Sequence, residues 1–213
     1  MPFYLGSHRV LLRRPPVVAT GFTPFDVGFD FRNTLAFVTD PAGAGPMISA
    51  NSTTTPLPYP TTTTINGVSV TYGMTVAFSS TDNARDREST FDPRLAGLWF
   101  QMNTGTQAVF SVALPAAGTY TIHLAMGDAD NARTQSTIQF LDGSTSLFTV
   151  VGSPPAGSFY DATGTVYTNT AWPGSETGVS VTMSGTTLNV KLGTSTNVGS
   201  QTDLAYFRIV RTA

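Results

Sequence analysis

The chain contains no cysteine, which excludes disulfides, thiolate nucleophiles and thiolate zinc sites. Charge is scarce too: Asp, Glu, Lys and Arg make up 11% of the 213 residues. Exposed helix faces are normally built from Glu, Lys and Arg, so a charge-poor chain rich in Thr and Gly favours strands and turns. Long apolar runs are missing near the N-terminus. Val10-Leu11-Leu12 is broken at once by Arg13, Arg14, Pro15 and Pro16, and reads as neither a secretory signal nor a membrane span. The formal net charge of −2 is unevenly split, because residues 1–24 carry Arg9, Arg13 and Arg14 and no acid. The remainder is therefore acidic and offers nucleic acid no broad attractive surface. Catalytic signatures are lacking in the same way. His8 and His123 have no Ser or acid at motif spacing, and no motif selects two of the 13 acids as a glycosidase pair. The chain is expected not to be an enzyme.

What the sequence does have is punctuation: 14 Pro and 20 Gly separate short apolar runs. Strand candidates fall at 65–72, 75–80, 96–102, 107–114, 118–126, 134–142, 145–151, 179–184, 186–192 and 203–210. Tyr120, Ile122, Leu124 and Met126 alternate with Thr119, Thr121, His123 and Ala125, the period of a strand with one buried face, and Leu188, Val190 and Leu192 repeat it. Ser184-Gly185-Thr186 fits a tight hairpin. Trp99, between Leu98 and Phe100, reads as core. Ten strands with short turns predict an all-β fold, a two-sheet antiparallel sandwich formed as one domain by residues 25–213. The chain is long enough for one large core and too short for two average domains. Residues 1–24, interrupted by Pro2, Pro15, Pro16 and Pro24, predict an extended N-terminal arm, and the Pro/Thr-rich stretch 40–64 predicts a long strap.

Seven charged residues crowd between Asp82 and Arg94. Asp82, Asp86, Glu88 and Asp92 carry oxygens that suit calcium, but Arg85, Arg87 and Arg94 interleave with them as bidentate partners. The expectation is a nearly self-neutralising structural loop built on Asp82, Arg85, Asp86, Arg87, Asp92 and Arg94. Asp128, Asp130 and Asn131 form a short acidic turn, a fragment of a calcium loop without its Gly and distal Glu. Structural calcium is admitted there; no other cofactor is implied. Trp172, Tyr160 and Tyr167 are the aromatics for stacking on a sugar ring, with Arg133 to bond hydroxyls, or else for anchoring a protein interface. Trp172, flanked by Thr170, Pro173 and Gly174, is expected on an accessible loop.

The run from Gly118 through Asp128 to Arg133, the upstream Asp86-Arg87 and Asp92-Pro93-Arg94-Leu95-Ala96-Gly97, the early Phe29-Asp30-Phe31 and the closing Leu204-Ala205-Tyr206-Phe207-Arg208-Ile209 resemble, in that order, the galactose-binding-like jelly roll. Carbohydrate-binding modules and the sandwich domain preceding some pectin-active acetylesterases share the pattern. The resemblance covers residues 26–213; no Gly-Asp-Ser nucleophile block and no second catalytic domain follow. In composition the chain is also similar to such domains in tailed-phage virion proteins. The resemblance implies a non-enzymatic virion structural protein, a capsid decoration or cement protein assembled in the host cytoplasm. Its partner would be the major capsid or another virion protein, held through Arg9, Arg13 and Arg14 of the arm and through the strap, and the protein would be a homotrimer. The alternative is a carbohydrate-binding module recognising a bacterial surface glycan, and the third reading is a glycan-processing enzyme. Neither nucleic acid nor membrane is an expected partner.

Overall fold

The computed structural model describes residues 24–32, 47–49, 57–65, 67–78, 84–87, 92–102, 105–172, 177–194 and 200–213. The expectations for Arg9, Arg13, Arg14, Asp82 and Glu88 lie outside these residues. Fifteen strands run through the described residues: β1 (Asp26–Asp30), β2 (Met47–Ser49), β3 (Thr61–Ile65), β4 (Val68–Val76), β5 (Ala84–Asp86), β6 (Gly97–Met102), β7 (Ala108–Ala113), β8 (Gly118–Asp128), β9 (Ser136–Asp142), β10 (Thr145–Gly152), β11 (Ser158–Tyr160), β12 (Val166–Thr168), β13 (Val179–Met183), β14 (Thr187–Leu192) and β15 (Gln201–Arg211). Two 3-10 turns, Pro93–Leu95 and Asn169–Ala171, complete the inventory.

The strands form the two-sheet antiparallel sandwich of a jelly roll. A nine-stranded sheet is centred on β8 and β15 and ordered β12-β11-β8-β15-β1-β2, with β13 pairing β8 and β6 and β5 extending from β15. The six-stranded sheet runs β10-β9-β14-β7-β4-β3. The alternation read from the sequence is realised where it was strongest. Tyr120, Ile122, Leu124 and Met126 point into the core, as do Leu188, Val190 and Leu192, while Thr119, Thr121 and His123 are half-buried on the other face. Trp99 is core, and its ring meets Phe31 at 4.8 Å and Phe78 at 5.4 Å. Phe29, Phe110 and Phe207 continue this cluster with tilted and edge-on contacts of 4.9 to 5.9 Å, the offsets aromatic quadrupoles favour.

One irregularity decides where a site forms. The β15–β8 register shifts between Leu204 and Tyr206. Leu204, Phe207 and Ile209 join the main core, but Ala205 and Tyr206 join a second cluster, with Leu95, Ala125, Phe159 and Trp172. A bulge thus puts two successive side chains on one face, which regular alternation forbids. Gly127 serves the same region. It has φ +156, and a Cβ there would overlap the Ser158 carbonyl oxygen, so only glycine lets β11 lie this close to β8.

Three local readings are corrected. Ser184-Gly185-Thr186 is no hairpin: β13 pairs β8 in one sheet, and β14 pairs β7 and β9 in the other. The segment carries the chain across the sandwich, and Asp142 pins it by accepting from Ser184 N at 2.7 Å, Ser184 Oγ at 2.6 Å and Gly185 N at 3.1 Å. The stretch 40–64 is not a continuous strap, because Met47–Ser49 pairs in parallel with β1 and Thr61–Ile65 pairs with β4. The candidate strand 75–80 is the tail of β4, which ends at Val76. In each case pairing with a distant strand outweighed the local turn signal.

Candidate functional site

At one end of the nine-stranded sheet the last residue of β8, Asp128, is completely buried and gathers three chain segments. Its Oδ1 accepts from Arg87 Nε at 2.7 Å and from the Asp130 backbone N–H at 2.9 Å. Its Oδ2 accepts from Arg87 Nη2 at 2.7 Å, Arg133 Nη2 at 2.5 Å and Asn131 Nδ2 at 3.2 Å. Arg87 follows the short strand β5 and is fixed there by its own N–H, which donates to the Ala96 carbonyl at 2.6 Å. Arg133 also pairs, through Nε, with Asp203 at the start of β15. Two guanidiniums therefore lock the segment 128–133 against β5 and β15. Asp130 and Asn131 remain exposed on that loop, with Arg87 Nε 3.2 Å from Asp130.

The electrostatics sort the two buried carboxylates into different states. Burial pushes Asp128 up, but the Arg87 hydrogen bond, the Asp130 N–H and the charges of Arg87 and Arg133 outweigh it and hold the carboxyl below its usual range. Burial pushes Asp203 up to about 7, against the opposing pull of Arg133, with the Asp128 charge adding to the rise. Asp203 Oδ1 accepts no hydrogen bond. Two carboxylates share one guanidinium here, and the one with five donors is shifted down while the one with a single donor is shifted up.

Beside this node lies the cluster made by the β15 bulge. The Tyr206 hydroxyl oxygen accepts from Trp172 Nε1 at 3.2 Å and from Arg94 Nη1 at 3.2 Å. The Arg94 guanidinium carbon stands 4.8 Å from the Tyr206 ring centroid, and Asp92 grips the same guanidinium bidentately, at 2.9 Å to Nε and 2.6 Å to Nη2. Asp92 also caps the Pro93–Leu95 turn by accepting from Arg94 N. A third pair, Asp30 with Arg32, is buried nearby at 2.6 Å. Burial raises Asp30 to about 7 despite the Arg32 charge.

Among the described residues of the charged loop, Asp92 and Arg94 pair with each other as expected, and Arg87 reaches Asp128 and Asp130 across the fold. Arg85 lies 4.9 Å from the Phe100 ring centroid, and Asp86 closes the β5–β6 pair opposite Gly97. The expectation of an accessible Trp172 is overturned. It is 8% exposed, with its ring edge-on to Phe159 at 5.9 Å and Tyr167 at 5.6 Å; the loop signal at Pro173 and Gly174 could not reveal that the bulged β15 offers Trp172 a hydroxyl partner. Tyr167 is half-buried in that cluster, alongside Ala129. Tyr160 packs against the main core, its ring lying over Gly152, where a Cβ would overlap it. Asp128, considered for calcium with Asp130 and Asn131, has both oxygens engaged by guanidinium, amide and backbone donors. Among the described residues no three His, Cys, Asp or Glu side chains converge as a metal site requires.

Asp203 and Tyr206 were missed as site residues. The signal was present: a carboxylate and a phenol interrupt Leu204-Ala205 and Phe207 in an otherwise apolar strand, and buried polar groups need partners. Their partners, 70 and 112 positions away in sequence, were not legible.

No protein-family model matches the chain, and no curated protein matches it. Solved structures similar in fold include carbohydrate-binding modules. One is the CBM36-1 domain of a multidomain xylanase from the hindgut metagenome of Trinervitermes trinervoides, at 10% identity and a TM-score of 0.37, covering 68% of this chain and 98% of that one. Another is the module CBM6cm-2 from Cellvibrio mixtus lichenase 5A in complex with cellotriose, at 16% identity and a TM-score of 0.34, covering 64% and 92%. Arthrobacter globiformis T6 isomalto-dextranase complexed with panose aligns at 14% identity and a TM-score of 0.35, over 66% of this chain and 23% of that one.

Proposed function

We propose that the chain is a non-catalytic glycan-binding β-sandwich, and that its binding surface is the loop end carrying Asp130, Asn131, Arg133 and Tyr167. The observation that carries this reading is the Asp128 node. A fully buried carboxylate held by two guanidiniums makes the 128–133 loop rigid before any ligand arrives, while leaving the Asp130 carboxylate and the Asn131 amide exposed. Rigidly held donors and acceptors are what polyhydroxylated ligands need, because ordering cost is then not charged to binding. Tyr167, half-buried through its contact with Trp172, supplies an aromatic beside that polar set. The same geometry speaks for binding over turnover: Asp128 has its oxygens committed to five donors, so it is unavailable as a proton acceptor. This is the glycan-binding alternative among the expectations, and it replaces the decoration protein as the favoured reading; the arm on which that role depended lies outside the described residues.

Affinity electrophoresis through gels containing neutral and acidic polysaccharides tests the reading. Retardation by at least one polysaccharide is expected, reduced at least tenfold in Asn131→Ala and in Tyr167→Ala. If no polysaccharide retards the chain, or if both variants are retarded like the parent, the proposed surface is wrong. Deletion of residues 1–24 is expected to leave retardation unchanged.

A further inference from the structure

The edges of the sandwich are protected unequally. Among the described residues of the nine-stranded sheet, the outermost strands β12, β2 and β5 have three residues each, too short to template another chain, and β13, paired with β8 alone, has five. In the six-stranded sheet, β3 has five residues, and Pro58 and Pro60 stand just before it. The opposite edge is different. β10 runs eight residues, Thr145-Ser146-Leu147-Phe148-Thr149-Val150-Val151-Gly152, without proline and without charge. Among the described residues it pairs on one side only, with β9 from Thr145 opposite Asp142 to Gly152 opposite Ser136.

Its side chains are sorted as an edge strand's should be. Val150 is buried and Phe148 stacks on Phe140 at 4.7 Å, so the strand is anchored to the core. Thr145, Ser146, Thr149 and Val151 are exposed, and Val151, at 59%, is the most exposed large hydrophobic side chain among the described residues. Natural edge strands carry lysine, proline or inward charge to block pairing; β10 carries none of these, and its one bulge lies near its start, between Ser146 and Phe148.

We infer that β10 is an interaction edge and that its occupant is β10 of a second copy, paired antiparallel about a two-fold axis. Charge is the argument for self-pairing. An antiparallel contact between two identical strands is free of like-charge repulsion where the strand carries no net charge. β10 satisfies that condition throughout its length, and a formal net charge of −2 on 213 residues leaves little repulsion between copies. A two-fold at Val150 sets Thr149 opposite Val151 of the second copy, a β-branched cross-strand pair. It joins the two six-stranded sheets into one. The inference does not depend on the glycan reading.

Sedimentation of the full chain over a hundredfold concentration range tests it. A concentration-dependent dimer is expected, weakened at least tenfold by Val151→Lys, an exposed substitution that sets an ammonium group one residue from the axis on each copy, the two diagonal to one another on one face. The absence of cysteine gives a second measurement: Thr149→Cys/Val151→Cys is expected to form a covalent dimer on oxidation, since opposed Cα atoms about 4.5–5.5 Å apart lie within disulfide reach. A cysteine pair on the other edge, Thr62→Cys/Thr64→Cys, should stay monomeric. A parent chain that is monomeric throughout, a dimer indifferent to Val151→Lys, or a β10 cysteine variant that fails to cross-link would each overturn the inference.

Discussion

Two aspartates each tie a connection to the sandwich, Asp128 at the proposed binding end and Asp142 at the crossing between the sheets. Both are held below the usual carboxylate range, but by different donors. Asp142 is moved first by the hydrogen bond from the Ser184 hydroxyl, and then by the Ser184 and Gly185 N–H groups, near solvent. Asp128 overcomes full burial through the guanidiniums of Arg87 and Arg133. A solvated staple held by neutral donors is replaceable, because water can satisfy whatever it loses. A buried charged node is not, because removing one member strands the others.

The largest expected effect follows from this asymmetry. Asp128→Ala should destabilise the fold by about 3–5 kcal/mol, the cost of removing the buried carboxylate that two largely buried guanidiniums share, read from urea unfolding. A loss below about 1 kcal/mol would show that the two aspartates do not differ in kind.

Next is the pH response of the node. Asp203 and Asp30 are raised to about 7 from an ordinary 3.8. Between those values the folded chain holds protons that the unfolded chain has released, so their contribution is fully present below 3.8 and lost as pH rises through 7. Asp128 and Asp142, both lowered, contribute above 3.8 and lose that contribution in stronger acid. The melting temperature is therefore expected to be higher at pH 5 than at pH 8, by roughly 2–4 °C for each kcal/mol gained, and to fall again below pH 3.5. Asp203→Asn should remove part of the rise between pH 8 and 5, leaving the share due to Asp30. A calorimetric profile flat over that interval in the parent chain contradicts the assignment.

The smallest effect belongs to Asp142→Ala, which should cost about 1 kcal/mol and leave polysaccharide retardation untouched. An equal loss of retardation in this variant and in Asn131→Ala would mean that the binding surface is not confined to the end of the sheet that Asp128 organises.

The aspartates also show how far sequence reading reached. Asp128 stood out as part of an acidic turn, and its oxygens suggested a cation; the cation is provided by the chain itself, as arginine. Arg87 was recognised as a carboxylate's partner, but its partner was sought among neighbours in sequence. Asp142 passed unnoticed because Ser184-Gly185-Thr186 looked sufficient as a hairpin. Trp172 was placed on the surface by its proline and glycine neighbours, and a bulge in β15 drew it in.

By itself the sequence determined the all-β class, the positions of β8, β10 and β15, and which side chains of β8 and β14 face inward. Those properties follow from a two-residue period and from turn residues acting over a few bonds. Only the tertiary structure decided that β13 and β14 belong to different sheets, that Arg87 and Arg133 serve Asp128, and that Tyr206 faces Trp172 and Arg94. Each of these depends on the register of strands far apart in sequence, and register is set by how whole faces pack against one another rather than by any local preference.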